Sequence, residues 1–73
     1  MFSLSEENYL KAIFHLENSY KSGVSTNALA EEMQTKASSV TDMIKRLSDK
    51  DLVNYKKYQG VKLSEPGRNA AIE

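Results

Sequence analysis

No cysteine occurs anywhere in the 73 residues, so neither disulfides nor thiolate metal sites staple the chain, a composition suited to a reducing compartment. Long apolar runs are missing too. None approaches the roughly 18 residues that a bilayer span requires, and the first residues lack the basic-then-apolar order of a signal peptide. The expected location is therefore the cytoplasm. There is no glycine-rich phosphate loop and no convincing nucleophile–base pair, which argues against an enzyme. The single histidine, His15, stands between Phe14 and Leu16 without an Asp-x-His or His-x-x-His partner, so a structural or surface role fits it better than metal ligation. At this length the chain makes one small domain whose core barely offsets the entropy of ordering it.

Net charge of one sign is also absent: the formal total is zero. The distribution is uneven, however. Met1 to Thr35 carries −3, Lys36 to Lys62 carries +4, and the remaining tail carries −1. A basic half on a neutral chain is a local electrostatic footprint, and a phosphate backbone responds to local charge. On charge alone, a solvated surface of mixed sign remains a competing account.

What is present reads as an ordered series of elements. In "SLSEENYLKAIFHLENSY", Ser3 or Ser5 can cap a helix whose first turn holds Glu6 and Glu7, where the helix dipole favours negative charge. Tyr9, Leu10, Ile13, Phe14, Leu16 and Tyr20 form its apolar stripe. After the break "KSGVS", Ser25 or Thr26 can cap a second, short helix through "NALAEEM", with Leu29 and Met33 inward and Glu31 and Glu32 outward. "QTK" leaves almost no slack before a third helix, predicted from about Ala37 to Lys50. Two short helices with so tight a joint make a helix-turn-helix.

The third helix is amphipathic in an unusual way. Val40, Met43, Ile44 and Leu47 fall within one arc, while Ser38, Asp42, Lys45 and Asp49 lie opposite, flanked by Thr41 and Arg46. A merely solvated face would favour Glu, Lys and Gln, which are better helix formers than Ser or Thr. Short side chains let the backbone approach something closely. Beyond Asp51, "LVNYKKYQGVKLS" changes to a period of two, which predicts a two-stranded hairpin with Gly60 at its turn. "SEPGRNAAIE" then opens a further helix, with Ser64 as cap and Pro66 in the first turn.

The expected fold is thus α+β, mainly α: a winged helix-turn-helix over residues 1–73, with three helices, a two-stranded wing and the start of a fourth helix. The major groove of B-DNA admits one α-helix. Ser38, Ser39, Thr41 and Asp42 are placed to reach base edges or nearby phosphates. Asp42 facing a polyanion costs affinity unless it accepts a specific hydrogen bond, for which cytosine N4 is the natural donor; an ion pair with Lys45 or Arg46 is an equally good account. Lys45 and Arg46, with Lys56 and Lys57 of the wing, are candidate phosphate contacts. A protein–protein adaptor, the other use of winged helices, stays open as the alternative.

The runs "LSEENYLKAIFHLE", "ALAEEM", "SSVTDMIKRLSDKDLV" and "YQGVKLSEPGR" closely resemble the N-terminal DNA-binding domain of the diphtheria-toxin-repressor-like family of metal-dependent transcriptional repressors. The resemblance covers nearly the whole chain. It implies a repressor in which later helices form a dimer and complete a site for iron(II) or manganese(II), so that two winged helices meet an inverted-repeat operator. By the same resemblance, Lys36, Ser38, Ser39, Thr41 and Asp42 match recognition-helix contacts. Arg46 matches a phosphate-contacting arginine, and Thr26 sits where the second helix touches the backbone. The family's first-helix metal ligands fall at Asn8 and Lys11, and here the sequence departs: an amide oxygen is a weak ligand and a protonated lysine is none. Metal is therefore expected only for a full-length parent, and a metal-independent DNA-binding regulator is a further alternative. The chain is expected to be a fragment of such a repressor, lacking its C-terminal dimerisation and metal-binding region, and on its own a monomer or weak dimer.

Overall fold

The computed structural model describes residues 3–56 and 59–72. Its elements run α1 (Leu4–Leu16), α2 (Thr26–Met33), α3 (Ala37–Asp49), β1 (Val53–Lys56), β2 (Gly60–Leu63) and α4 (Glu65–Ile72). The expected architecture, mainly helical with a two-stranded antiparallel wing, is the one observed.

Helices α1, α2 and α4 start where a side chain satisfies an orphan N–H group of the first turn. Ser3, not Ser5, caps α1: its hydroxyl accepts from the Glu6 N–H at 3.1 Å, and the Glu6 carboxylate accepts from the Ser3 N–H at 2.9 Å, closing a capping box. Ser25 caps α2 by accepting from the Ala28 N–H at 3.0 Å. Ser64 accepts from the Gly67 N–H at 3.1 Å while its own hydroxyl donates to the Asp51 carbonyl at 2.6 Å, so the cap of α4 is also a tie to the turn that follows α3. The joint between α2 and α3 turns on Gln34, left-handed at φ 54°, whose N–H returns to the last carbonyls of α2. No glycine is used there.

The core fills the space enclosed by α1, α2, α3 and the wing. Leu10 and Ile13 of α1, Leu29 of α2, Val40 and Leu47 of α3, and Val61 of β2 are all fully enclosed. In the wing, Val53 pairs with Leu63, Asn54 with Lys62, Tyr55 with Val61 and Lys56 with Gly60. Val24 adds a third line of backbone bonding: its N–H donates to Val61 O at 2.9 Å and its carbonyl accepts from Val61 N–H at 2.8 Å. Gly23, at φ 127°, permits this approach, because a Cβ there would overlap the Gln59 carbonyl oxygen. The hairpin is therefore not left alone, as its marginal intrinsic stability requires.

The apolar stripe of α1 is narrower than its periodicity predicts. Phe14 is 37% exposed and Tyr20 is 42% exposed. Phe14 lies at the edge of the stripe, its ring 6.0 Å from the Arg68 guanidinium carbon. Tyr20 follows the end of α1, where the chain turns through Ser19 and Tyr20 N–H bonds to Leu16 O and helical spacing no longer governs direction.

Candidate nucleic-acid interface

The two faces of α3 are cleanly divided. Val40, Ile44 and Leu47 are buried, with α2 packed behind them, while Ser38, Ser39, Thr41, Asp42, Lys45 and Arg46 are all exposed. Lys36 occupies the N-cap, also exposed, and offers no side-chain bond to the helix, so the first-turn N–H groups of α3 have no side-chain cap. The Thr41 hydroxyl donates to the Ala37 carbonyl at 3.0 Å, which leaves its methyl group and remaining lone pairs to an outside partner.

Asp42 had two equal accounts in sequence. Among the described residues it forms no ion pair with Lys45, Arg46 or any other side chain. The face therefore presents a free carboxylate beside hydroxyls and two cations. Thr26 is half-buried at the first position of α2, and Lys56 is exposed at the end of β1. Lys57, the other candidate of the wing, lies outside the described residues. Between α3 and the wing is a cleft lined by Ile44, Lys45, Ser48, Asp49 and Tyr55. Tyr55, read in sequence only as an alternating strand residue, thus stands 48% exposed beside Lys45.

Not every cation of the basic block belongs to this surface. The Lys50 ammonium lies 2.7 Å from Glu6 Oε2, and that carboxylate is only 3% exposed. The hydrogen bond from Lys50, then the Ser3 backbone N–H, hold the Glu6 pKa down at about 2 against an ordinary 4.5, with burial opposing them. One carboxylate thereby ties the start of α1 to the C-cap of α3. A second carboxylate acts similarly at the wing: Glu17 accepts from the Leu63 N–H at 2.9 Å and pairs with Arg68 at 3.1 Å, joining α1, β2 and α4. Local sequence signals mark Glu6 as a first-turn acid, but nothing local announces either long-range tie.

The residues implied as metal ligands do not make a metal site. Asn8 and Lys11 are both exposed on α1, and an amide with an ammonium cannot hold a divalent cation. Among the described residues no group of three or more His, Asp or Glu is placed to do so.

Comparison with known proteins agrees with this geometry. The profile of the family described as iron-dependent repressor, N-terminal DNA-binding domain, matches residues 1–61. An uncharacterised HTH-type transcriptional regulator of Methanocaldococcus jannaschii is 37% identical over 65 residues, covering 89% of this chain and 52% of that protein. The HTH-type transcriptional regulator MntR of Oceanobacillus iheyensis is 34% identical over 64 residues, covering 88% and 43%. The chain thus spans about half the length of these curated relatives. Among solved structures, a hypothetical protein of Sulfolobus solfataricus superposes with a TM-score of 0.85 at 28% identity, covering 96% of this chain and 53% of that one. The manganese regulator SloR superposes with a TM-score of 0.72 at 35% identity, covering 90% and 30%. A winged helix with an exposed polar face on its third helix, together with these matches, places the chain in the family of iron-dependent repressor N-terminal DNA-binding domains.

Proposed function

We propose that this domain reads duplex DNA by laying α3 in the major groove, with Ser38, Ser39, Thr41 and Asp42 toward base edges or adjacent phosphates. Lys36, Lys45 and Arg46 hold the flanking backbone, with Thr26 of α2 and with Lys56 and Lys57 of the wing. The observation that carries this reading is the free Asp42 carboxylate on a hydroxyl-rich helix face. An unpaired acid next to phosphates lowers affinity unless it meets a base donor, so its place there is explained by specificity. The first-turn N–H groups of α3, which no side chain caps, add neutral donors for phosphate oxygens.

The relatives extend the reading to a longer protein. Such a parent is a cytoplasmic repressor that acts as a homodimer on an inverted-repeat operator. Its metal, iron or manganese, is held by residues other than Asn8 and Lys11. The match to the iron-dependent repressor family and the similarity to the manganese regulator SloR support iron or manganese control of that parent, while the chemistry of Asn8 and Lys11 assigns α1 no ligand role.

The test is a selection over randomised duplexes with wild type and Asp42→Ala. The variant is expected to lose preference at one operator position, by roughly 1–3 kcal/mol, while its affinity for unrelated sequences holds or rises. Lys45→Ala and Arg46→Ala should weaken all sequences alike and each lower the salt slope by about one. An unchanged consensus from Asp42→Ala would remove the base contact from the reading.

A further inference from the structure

The Val24–Val61 bonding brings residues 21–26 alongside the wing. Lys21, which belongs to the acidic half of the chain, is thereby carried to the basic side. It shares with Lys62, on β2, a groove of about 790 Å³ that Ser22, Thr26 and Tyr55 also line. A second depression, of about 550 Å³, adjoins it through Ser22, Tyr55 and Lys62 and reaches Ser48 of α3 and Lys56 of β1. Among the described residues no Asp or Glu lines either one. In a chain with as many acids as bases, a continuous trough whose described lining holds cations, hydroxyls, amides and apolar groups and no acid is a selective arrangement.

We infer that this trough receives a stretch of the DNA phosphodiester backbone, with Lys21 and Lys62 as its cationic contacts and the Ser22 and Tyr55 hydroxyls as neutral donors. The inference rests on the reading of α3 as the groove-entering helix. Because the trough starts at Ser48, on α3 itself, a strand bordering the groove that α3 occupies continues directly into it. Lys21 and Lys62 are exposed, and among the described residues neither forms an ion pair, so phosphate contact would disrupt no internal bond. Tyr55 is held opposite Val61 by the hairpin pairing and Ser22 lies two residues from the Val24–Val61 bridge, which limits the ordering cost of binding. The site adds backbone contacts that carry no base information, so it raises affinity for every sequence equally.

The experiment is fluorescence anisotropy of a mixed-sequence duplex across a salt series, with wild type, Lys21→Ala/Lys62→Ala, Lys21→Arg/Lys62→Arg, Arg46→Ala and, as a charge control on a remote helix, Lys11→Ala. The alanine pair is expected to reduce the slope of log affinity against log salt by roughly 1 to 2, and the arginine pair to retain it. Lys11→Ala is expected to keep the wild-type slope. Circular dichroism melts of the alanine pair should match wild type, since both side chains are exposed. A wild-type slope for the alanine pair, with Arg46→Ala still reduced, overturns the trough and leaves the α3 reading intact. A reduction by Lys11→Ala equal to that of each trough lysine also overturns it, because net charge would then account for the effect. Wild type that shows no salt-dependent duplex binding overturns both.

Discussion

Glu6 joins the start of α1 to the C-cap of α3. Its carboxylate closes the α1 capping box and, on its other oxygen, receives the Lys50 ammonium. Glu6→Gln keeps the shape and removes the charge, so it is expected to destabilise the domain by about 1.5 kcal/mol, the lower end for hydrogen bonds to charged groups, because the Lys50 side chain is 43% exposed. Chemical denaturation at neutral pH measures it. The same group sets a pH dependence. Its pKa is lower in the folded state, about 2, than the ordinary 4.5, so its contribution is complete above about 4.5 and is lost as pH falls toward 2. Wild type should therefore lose stability across that window more steeply than Glu6→Gln, and parallel curves for the two proteins would show that Glu6 is not the titrating group.

At the scale of elements, capping chemistry and hydrophobic period made every helix and both strands legible in sequence. Ser64 caps α4 as expected, and of the two candidates that the sequence offered for each of the first two helices the structure uses Ser3 and Ser25. The α2–α3 joint was legible in length but not in mechanism, since Gln34 adopts a left-handed conformation usually given to glycine or asparagine. Gly67 shows the opposite case. It lies buried in α4, where local propensity favours alanine by about 1 kcal/mol, yet a methyl group there would overlap the Leu52 carbonyl oxygen. Backbone cannot yield as a flexible side chain does, so Gly67→Ala is expected to destabilise by roughly 1–3 kcal/mol in spite of its better propensity. A thermal melt showing higher stability for the variant would mean that α4 does not approach Leu52 so closely.

At the scale of the whole molecule, the domain extends 27 × 22 × 19 Å. Half-sites one helical turn apart are separated by about 34 Å, so on the proposed DNA-reading mode a single copy would read one half-site and an inverted repeat would take two. With that geometry the protein by itself is expected to sediment as a monomer or weak dimer at micromolar concentration. It should also bind each half of an inverted repeat independently. Titration of duplexes carrying one or two half-sites checks this: equal affinity per half-site is expected, and strong positive cooperativity between the two would reveal a dimer contact within the domain itself.

The sequence determined the order of elements and the two faces of α3, because helix caps, turn residues and periods of 3.6 and 2 are properties of neighbours along the chain. It also identified the departure at Asn8 and Lys11, since ligand chemistry belongs to residue type. Tertiary structure decided which charges remain for a partner. Lys50 counts in sequence as part of the basic block, yet its ammonium is bonded to an acid 44 positions away. Lys21 counts as part of the acidic half, yet the pairing of Val24 with Val61 sets it beside Lys62. Tyr55 obeys the strand alternation and is nevertheless half exposed, next to Lys45. These outcomes depend on contacts between segments distant in sequence, and no local pattern encodes them: an exposed lysine and a lysine committed to a buried carboxylate have the same side chain, the same propensity and the same neighbours until the chain has folded.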